Sequence, residues 1–448
     1  MKIHLYKICS ISLIAIAFSS CRQQIDAPPV QKGSLDVSNY VSIGSSISAG
    51  YSDNALYYNA QITSYPTLLA QQFKMIGGGT FKQPLVPASS VGIGASLNAR
   101  YVLAPTMDCA GVTSLAPVYA QASGDLSILT TSVAALGPFN NISVPGLKAT
   151  TTLYPGYGDY NQGPGNFNPF FTRMTANPQS ASILSDAASQ LPTFFSLFIG
   201  SDDVMAYALA GGASDAITPS AGPAGYGFDA SIDAIVNTLT ASGAKGVIAN
   251  LPGIHNLPYF TTIPPNGLIL DAANAAALTA AYSGLDINFH EGSNGFMIQD
   301  PSIPAGMRQI KSTEMILLTV PQDSLKCGGW GSLKPIPHQY VLTETELTQI
   351  NDAITAFNTK LKSVADASGL AFVDVNAFMS RAKAGILYNG IGMNAQFVSG
   401  GIFSLDGVDL TPIGNALLAN EFITAINAKY GSTIPHIDAT SYKGVSFP

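Results

Sequence analysis

The chain has 448 residues, room for one large or two ordinary domains. A formal net charge of −7 and the lack of a basic stripe argue against nucleic acid as a partner. Charged residues are only 10% of the chain and mean hydropathy is +0.25, yet beyond the N-terminus no apolar run reaches the ~20 residues of a spanning helix.

Taken in order, Lys2 and Lys7 precede an apolar run from Ile8 to Phe18, and Ser19-Ser20 lead to Cys21. This reads as a secretory signal over residues 1–20. Small residues before a cysteine resemble a bacterial lipobox, which implies a lipid on Cys21. Arg22-Gln23-Gln24 places no acid beside it, which by resemblance to lipoprotein sorting signals implies the outer membrane, on either face. Residues 21–38 read as lipidated cysteine and polar tether, and 39–448 as one domain.

Tyr40 to Ile43 has the β-branched, apolar bias of a buried strand, and Gly44 with the small residues after it allows a tight turn. Ser46 then falls at the carboxyl end of the strand, where open α/β sheets place their ligands. Ser64 and Pro66 open a helix whose apolar face is Leu69, Phe73 and Ile76, ended by Gly77. Residues from about 77 to 140 lack strong periodicity and read as an insertion. Ile142 to Val144 reads as a second strand, ending at Gly146. The stretch from Tyr154 to Pro169 is rich in Gly, Asn and aromatics, as in a surface turn or a cleft lining. Phe194 to Ile199 is apolar but for Ser196, as in a sheet covered on both faces. Ile232, Ile235, Val236 and Leu239 mark a helix, and Val247 to Asn250 the strand after it. Residues from about 251 to 334 form a second insertion, with a strand expected at Met315 to Val320. Thr343 and Glu346 make a capping box for a long helix with the stripe Leu347, Ile350, Ile354, Phe357, Leu361 and Val364. Leu370 to Val375 is the last core strand, and Thr411-Pro412 opens the final helix. The alternation predicts a three-layer α/β/α domain with a parallel sheet of about five strands.

Four stretches carry a family likeness. Gly44-Ser45-Ser46-Ile47-Ser48-Ala49-Gly50 resembles the first block of the SGNH/GDSL hydrolases, G-D-S-L-S-x-G, with Ser45 at the family's Asp. Asn141 to Gly146 resembles the second block. Gly200-Ser201-Asp202-Asp203 resembles the third, G-x-N-D, with Asp202 at the family's Asn. Asp406-Gly407-Val408-Asp409 resembles the fifth, D-x-x-H, with Asp409 at the family's His. Ser64-Tyr65-Pro66, the run Ile248 to Thr262 and Tyr340 to Thr343 are similar to long lipoprotein members of the Bacteroidetes type. The resemblance implies a flavodoxin-like SGNH fold with two large insertions, and a serine hydrolase acting on acyl or acetyl esters of glycans or lipids.

The same resemblance implies roles. Ser46 is the nucleophile, the N–H groups of Ser46 and Gly146 are oxyanion donors, and Asp406 orients the base. Two positions depart. Asp409 is a weak base for a hydroxyl, and an ionised Asp202 donates nothing to an oxyanion. Both oppose the standard mechanism, so a second expectation is a degenerate member that binds a glycan or lipid without turnover. His255, a few residues past a strand end, is the one histidine placed to substitute as base. Asp202, Asp203, Asp406 and Asp409 together raise a further alternative, a cation held by oxygens. Otherwise no cofactor or metal is expected, the partner is a small-molecule, glycan or lipid ester, the membrane is reached through Cys21, and the chain is a monomer. Cys109 and Cys327 fit either a disulfide or two buried thiols.

Overall fold

A computed structural model describes residues 29–447, Asp215 excepted. The signal segment and Cys21 lie outside the described residues, as does the tether up to Pro28. At the centre is a parallel four-stranded sheet in the order β1 (Tyr40–Gly44), β2 (Phe194–Phe198), β3 (Lys245–Ala249), β4 (Ala371–Val373). β1 and β2 are buried along their whole length, which is why they are apolar but for Ser42 and Ser196, whose hydroxyls bond each other at 3.1 Å. Tyr40 pairs with Phe194 and Gly44 with Phe198.

The expected second strand is shorter than its sequence suggests. Residues 140–144 run beside the free edge of β1, with Ser42 N–H on the Asn140 carbonyl (2.9 Å), Ile142 N–H on Ser42 (3.0 Å) and Val144 N–H on Gly44 (3.2 Å). They form a bridge there and not a regular strand. Counting it, the chain order across the sheet is 2-1-3-4-5, with the switch in direction between β1 and β2.

Two sets of helices cover the sheet: α1 (Tyr65–Phe73), α2 (Ile183–Ala188), α3 (Asp202–Leu209), α4 (Phe228–Thr240), α5 (Glu344–Ala367), α6 (Val375–Ala384) and α7 (Pro412–Tyr430). α1, α6 and α7 pack together in one set, and α2, α3, α4 and α5 in the other. In the first, Tyr65 stacks on Phe422 with centroids 4.4 Å apart, and Phe73 meets Phe194 edge-on at 5.4 Å. In the second, Phe228 of α4 stacks on Phe357 of α5 at 3.8 Å. The apolar stripe predicted for α5 is the stripe it buries, and Thr343 and Glu346 form its capping box. α1 is followed by a 3-10 turn, Lys74–Ile76, and Gly77 ends it in the left-handed region.

Several expectations need correction. The tether is shorter than residues 21–38: Leu35 and Val37 are buried, and Ser34 N–H donates to Tyr430 at the end of α7 (3.0 Å). The 77–140 insertion holds an antiparallel ribbon, Tyr101–Met107 with Thr113–Tyr119. Met315 to Val320 is strand only at Met315–Ile316, paired with Val341–Leu342. Past those two residues the backbone turns, and Val320 N–H closes on the Leu317 carbonyl at 3.1 Å. Cys109 and Cys327 form a disulfide that joins the two insertions.

Phe357 is fully buried, so Phe357→Ala should lower unfolding stability by about 3–5 kcal/mol. Leu387→Ala, at a side chain 77% exposed, should stay within about 0.5 kcal/mol. Urea titration followed by circular dichroism checks both.

Candidate functional site

Three loops leave the carboxyl edge of the sheet where its direction switches. The first leaves β1 at Gly44 and turns at once into a one-turn helix, Ser46–Ala49. A Cβ at Gly44 would lie 2.6 Å from the Phe198 carbonyl oxygen, so the close approach of β1 and β2 demands glycine. The second leaves residue 144 through Pro145-Gly146, where Gly146 is exposed at φ +77°. The third leaves β2 through Gly200 into α3. Gly44 is hydrogen-bonded to Val144 on one side and paired with Phe198 on the other. Ser46, Gly146 and Asp202 therefore start from neighbouring strand ends.

The side chains around this point do not form the expected machinery. Ser46 is partly exposed, and its hydroxyl makes no hydrogen bond among the described residues. It is Ser45, read from the sequence only as a replaced Asp, whose hydroxyl donates to the Asp202 carboxylate. Burial pushes Asp202 up to about 6, against the Ser45 hydrogen bond and the Lys148 charge, which hold it down. Asp203 accepts Ala149 N–H at 2.7 Å and so ties the Gly146 loop to the end of β2. Its other oxygen has no partner among the described residues, and burial raises the carboxyl to about 7, with the Asp202 charge adding to the rise.

Asp406 folds its own loop. One carboxylate oxygen accepts Val408 N–H and Asp409 N–H, both at 2.8 Å; the other accepts Asn54 N–H (2.9 Å) and the Ser404 hydroxyl (2.8 Å). Four donors occupy the group that the family likeness assigned to orienting a base. Asp409 is the opposite case. It is 5% exposed, and its Oδ1 is buried without a partner among the described residues. Burial, then the charges of Asp406, Asp202 and Asp53, hold its carboxyl well above the usual range. The shift favours the protonated carboxyl, which can donate a hydrogen bond and is a poorer site for an anion.

His255 does not join this group. It is exposed in a 3-10 turn, its carbonyl accepts Lys383 Nζ at 2.9 Å, and partial burial and the Lys383 charge push its pKa down. Its ring lies over Gly253, on the side of Asn376. Nor do the carboxylates converge on a cation: among the described residues no three His, Cys, Asp or Glu side chains are grouped to hold a metal.

Asp53 belongs to the group and was not anticipated. It accepts the Tyr57 hydroxyl at 2.6 Å and Leu405 N–H at 3.0 Å, which pins the Asp406 loop to the first block. Its signal was present. Asp53-Asn54 joins Tyr51–Ser52 to Ala55–Leu56, and both turn residues sit at positive φ, +52° and +61°. Asp and Asn tolerate such a two-residue hairpin turn.

Comparison of the chain with protein-family models, with curated proteins and with solved structures finds no match. The reading of this site therefore rests on its geometry and on the sequence likeness.

The raised carboxyls predict a pH dependence. The folded state binds the Asp409 proton more tightly than the unfolded chain, whose carboxyl has the ordinary value of 3.8. Stability is then full below that value and declines as pH rises toward the folded value. Asp202 and Asp203 act in the same sense between 3.8 and about 6 and about 7. Asp409→Asn removes its share, so the drop in stability from pH 5 to pH 8 should be smaller in the variant. Thermal melts at the two pH values test this; an equal or larger drop in the variant contradicts the assignment.

Proposed function

We propose that this chain is an SGNH-type protein whose carboxyl-edge site binds an oxygen-rich ligand, an acylated glycan or lipid ester, without Ser-His-Asp turnover. One observation carries the reading: where the family likeness calls for a histidine base stands Asp409, a buried carboxyl whose Oδ1 has no partner among the described residues and whose burial favours its protonated form. The position of the oxyanion Asn is held by Asp202, whose carboxylate is engaged as an acceptor by Ser45. The placement of Ser46 and Gly146 on neighbouring loops at the switch point of a parallel sheet supports a ligand site there. Envelope placement through a lipid on Cys21 is part of the same proposal. The Cys109–Cys327 disulfide supports an oxidising compartment.

A second reading has its own support. The Ser45 hydroxyl is paired with a carboxylate raised to about 6, and a base lifted from the ordinary range is a better proton acceptor. Slow ester hydrolysis through that pair is the alternative.

The test is hydrolysis of a short-chain aryl ester by the full-length protein beside Ser45→Ala, Ser46→Ala, His255→Ala and the double substitution Asp202→Asn with Asp409→His. The binding reading expects no rate above the Ser46→Ala background in the natural chain, none lost in His255→Ala, and a gain of about a hundredfold or more in the double variant. A natural rate abolished by Ser46→Ala overturns it. A rate abolished only by Ser45→Ala favours the second reading.

A further inference from the structure

The ribbon of the first insertion is held at its two ends. At the base, Tyr101 N–H donates to the Asp53 carbonyl at 2.7 Å. The Arg100 guanidinium lies over the Tyr57 ring, 5.1 Å from its centroid, and the Tyr57 hydroxyl bonds the Asp53 carboxylate. At the tip, Cys109 is bonded to Cys327 with Cα atoms 6.3 Å apart. Asp108 pairs with Lys326 at 3.0 Å, and Cys109 N–H donates to the Asp323 carboxylate at 3.3 Å. Between these points the polar contacts among the described residues are internal: the ladder, the stacked Tyr101 and Tyr119 rings, and Thr106 on the Ser114 carbonyl. Neither strand carries a charged residue.

The second insertion reaches the same loop from its other side. Tyr259 N–H donates to the Gly407 carbonyl at 3.0 Å, and Leu318 N–H to the Tyr259 carbonyl at 2.9 Å. The contacts therefore close a ring. It runs from the Asp406 loop through Leu405 and Asp53 to the ribbon, across the disulfide into the second insertion, and back to Gly407.

We infer that the ribbon is a strap and the Cys109–Cys327 link its latch, which together hold the Asp53 hairpin against the Asp406 loop. A lone two-stranded ribbon is marginally stable in water. Released at the tip, it frays, and the Tyr101–Asp53 bond at its base opens more often. Asp53 is then a positioning residue, acting on Asp406 and Asp409 through the Leu405 amide. This inference is independent of which ligand the site binds.

Amide hydrogen exchange of the full-length protein, read by mass spectrometry, tests it. The oxidised natural chain is compared with itself under reductant and with the double variant Cys109→Ser, Cys327→Ser, which leaves no lone thiol at the latch. Exchange should rise about tenfold or more in Tyr101–Met107, Thr113–Tyr119 and residues 404–409, with Tyr40–Gly44 and Phe194–Phe198 unchanged. Lys326→Ala, with the disulfide kept, should change none of these. Faster exchange in the ribbon with residues 404–409 unchanged overturns the coupling. A rise that includes the core strands overturns it too, since the disulfide would then be a staple of the whole fold. So does an unchanged pattern, or a Lys326→Ala pattern equal to that of the double variant.

Discussion

The hydrogen bonding of β1 on both its edges is the constraint on which the carboxyl edge depends. β2 pairs with it residue by residue, while residues 140–144 bond it only at Ser42 and Gly44. Because the sheet runs out from β1 in both directions, the loops that follow β1, residue 144 and β2 start side by side at its carboxyl edge, where open α/β sheets place their ligands. Gly44 sits at the tightest point, against the Phe198 carbonyl. Everything proposed for Ser46, Gly146 and Asp202 follows from that one junction.

The chemistry of this edge is set by how many donors each carboxylate finds. Asp406 lies in a turn whose backbone N–H groups point inward and accepts four hydrogen bonds, whereas Asp53 accepts two and burial raises its carboxyl. Asp409 contributes its backbone to the same turn, but its side chain finds no donor among the described residues and feels the charges of Asp406, Asp202 and Asp53. An unpartnered charge in such a place is costly, and keeping the proton is the cheaper state.

The insertions are not passive decoration. The second has small apolar cores of its own, one around Phe296, Ile298, Ile316, Ile336 and Val341, the other around Leu278, Tyr282, Phe289 and Met297. Cys327 and Tyr259 reach from this part of the chain to the first insertion and the Asp406 loop, Tyr259 itself being buried in the main core. The site thus has walls from four distant parts of the chain, although its central residues lie on the parallel sheet.

Local pattern was enough for the elements that read clearly from sequence. The stripe of α5, its capping box and the apolar run of β2 each repeat or persist over enough residues to be unambiguous. The strand at 142–144 was overread, since apolar residues next to a sheet edge need not complete a ladder. The ribbon and the disulfide were not readable: a cross-link between residues 218 apart is settled by which surfaces meet, and no local motif encodes that. The same holds for the site's charges. The sequence by itself determined which carboxyls are present; only the tertiary structure decided that Asp406 is held by four donors and Asp409 by none, because burial and partner count come from the packing of distant segments.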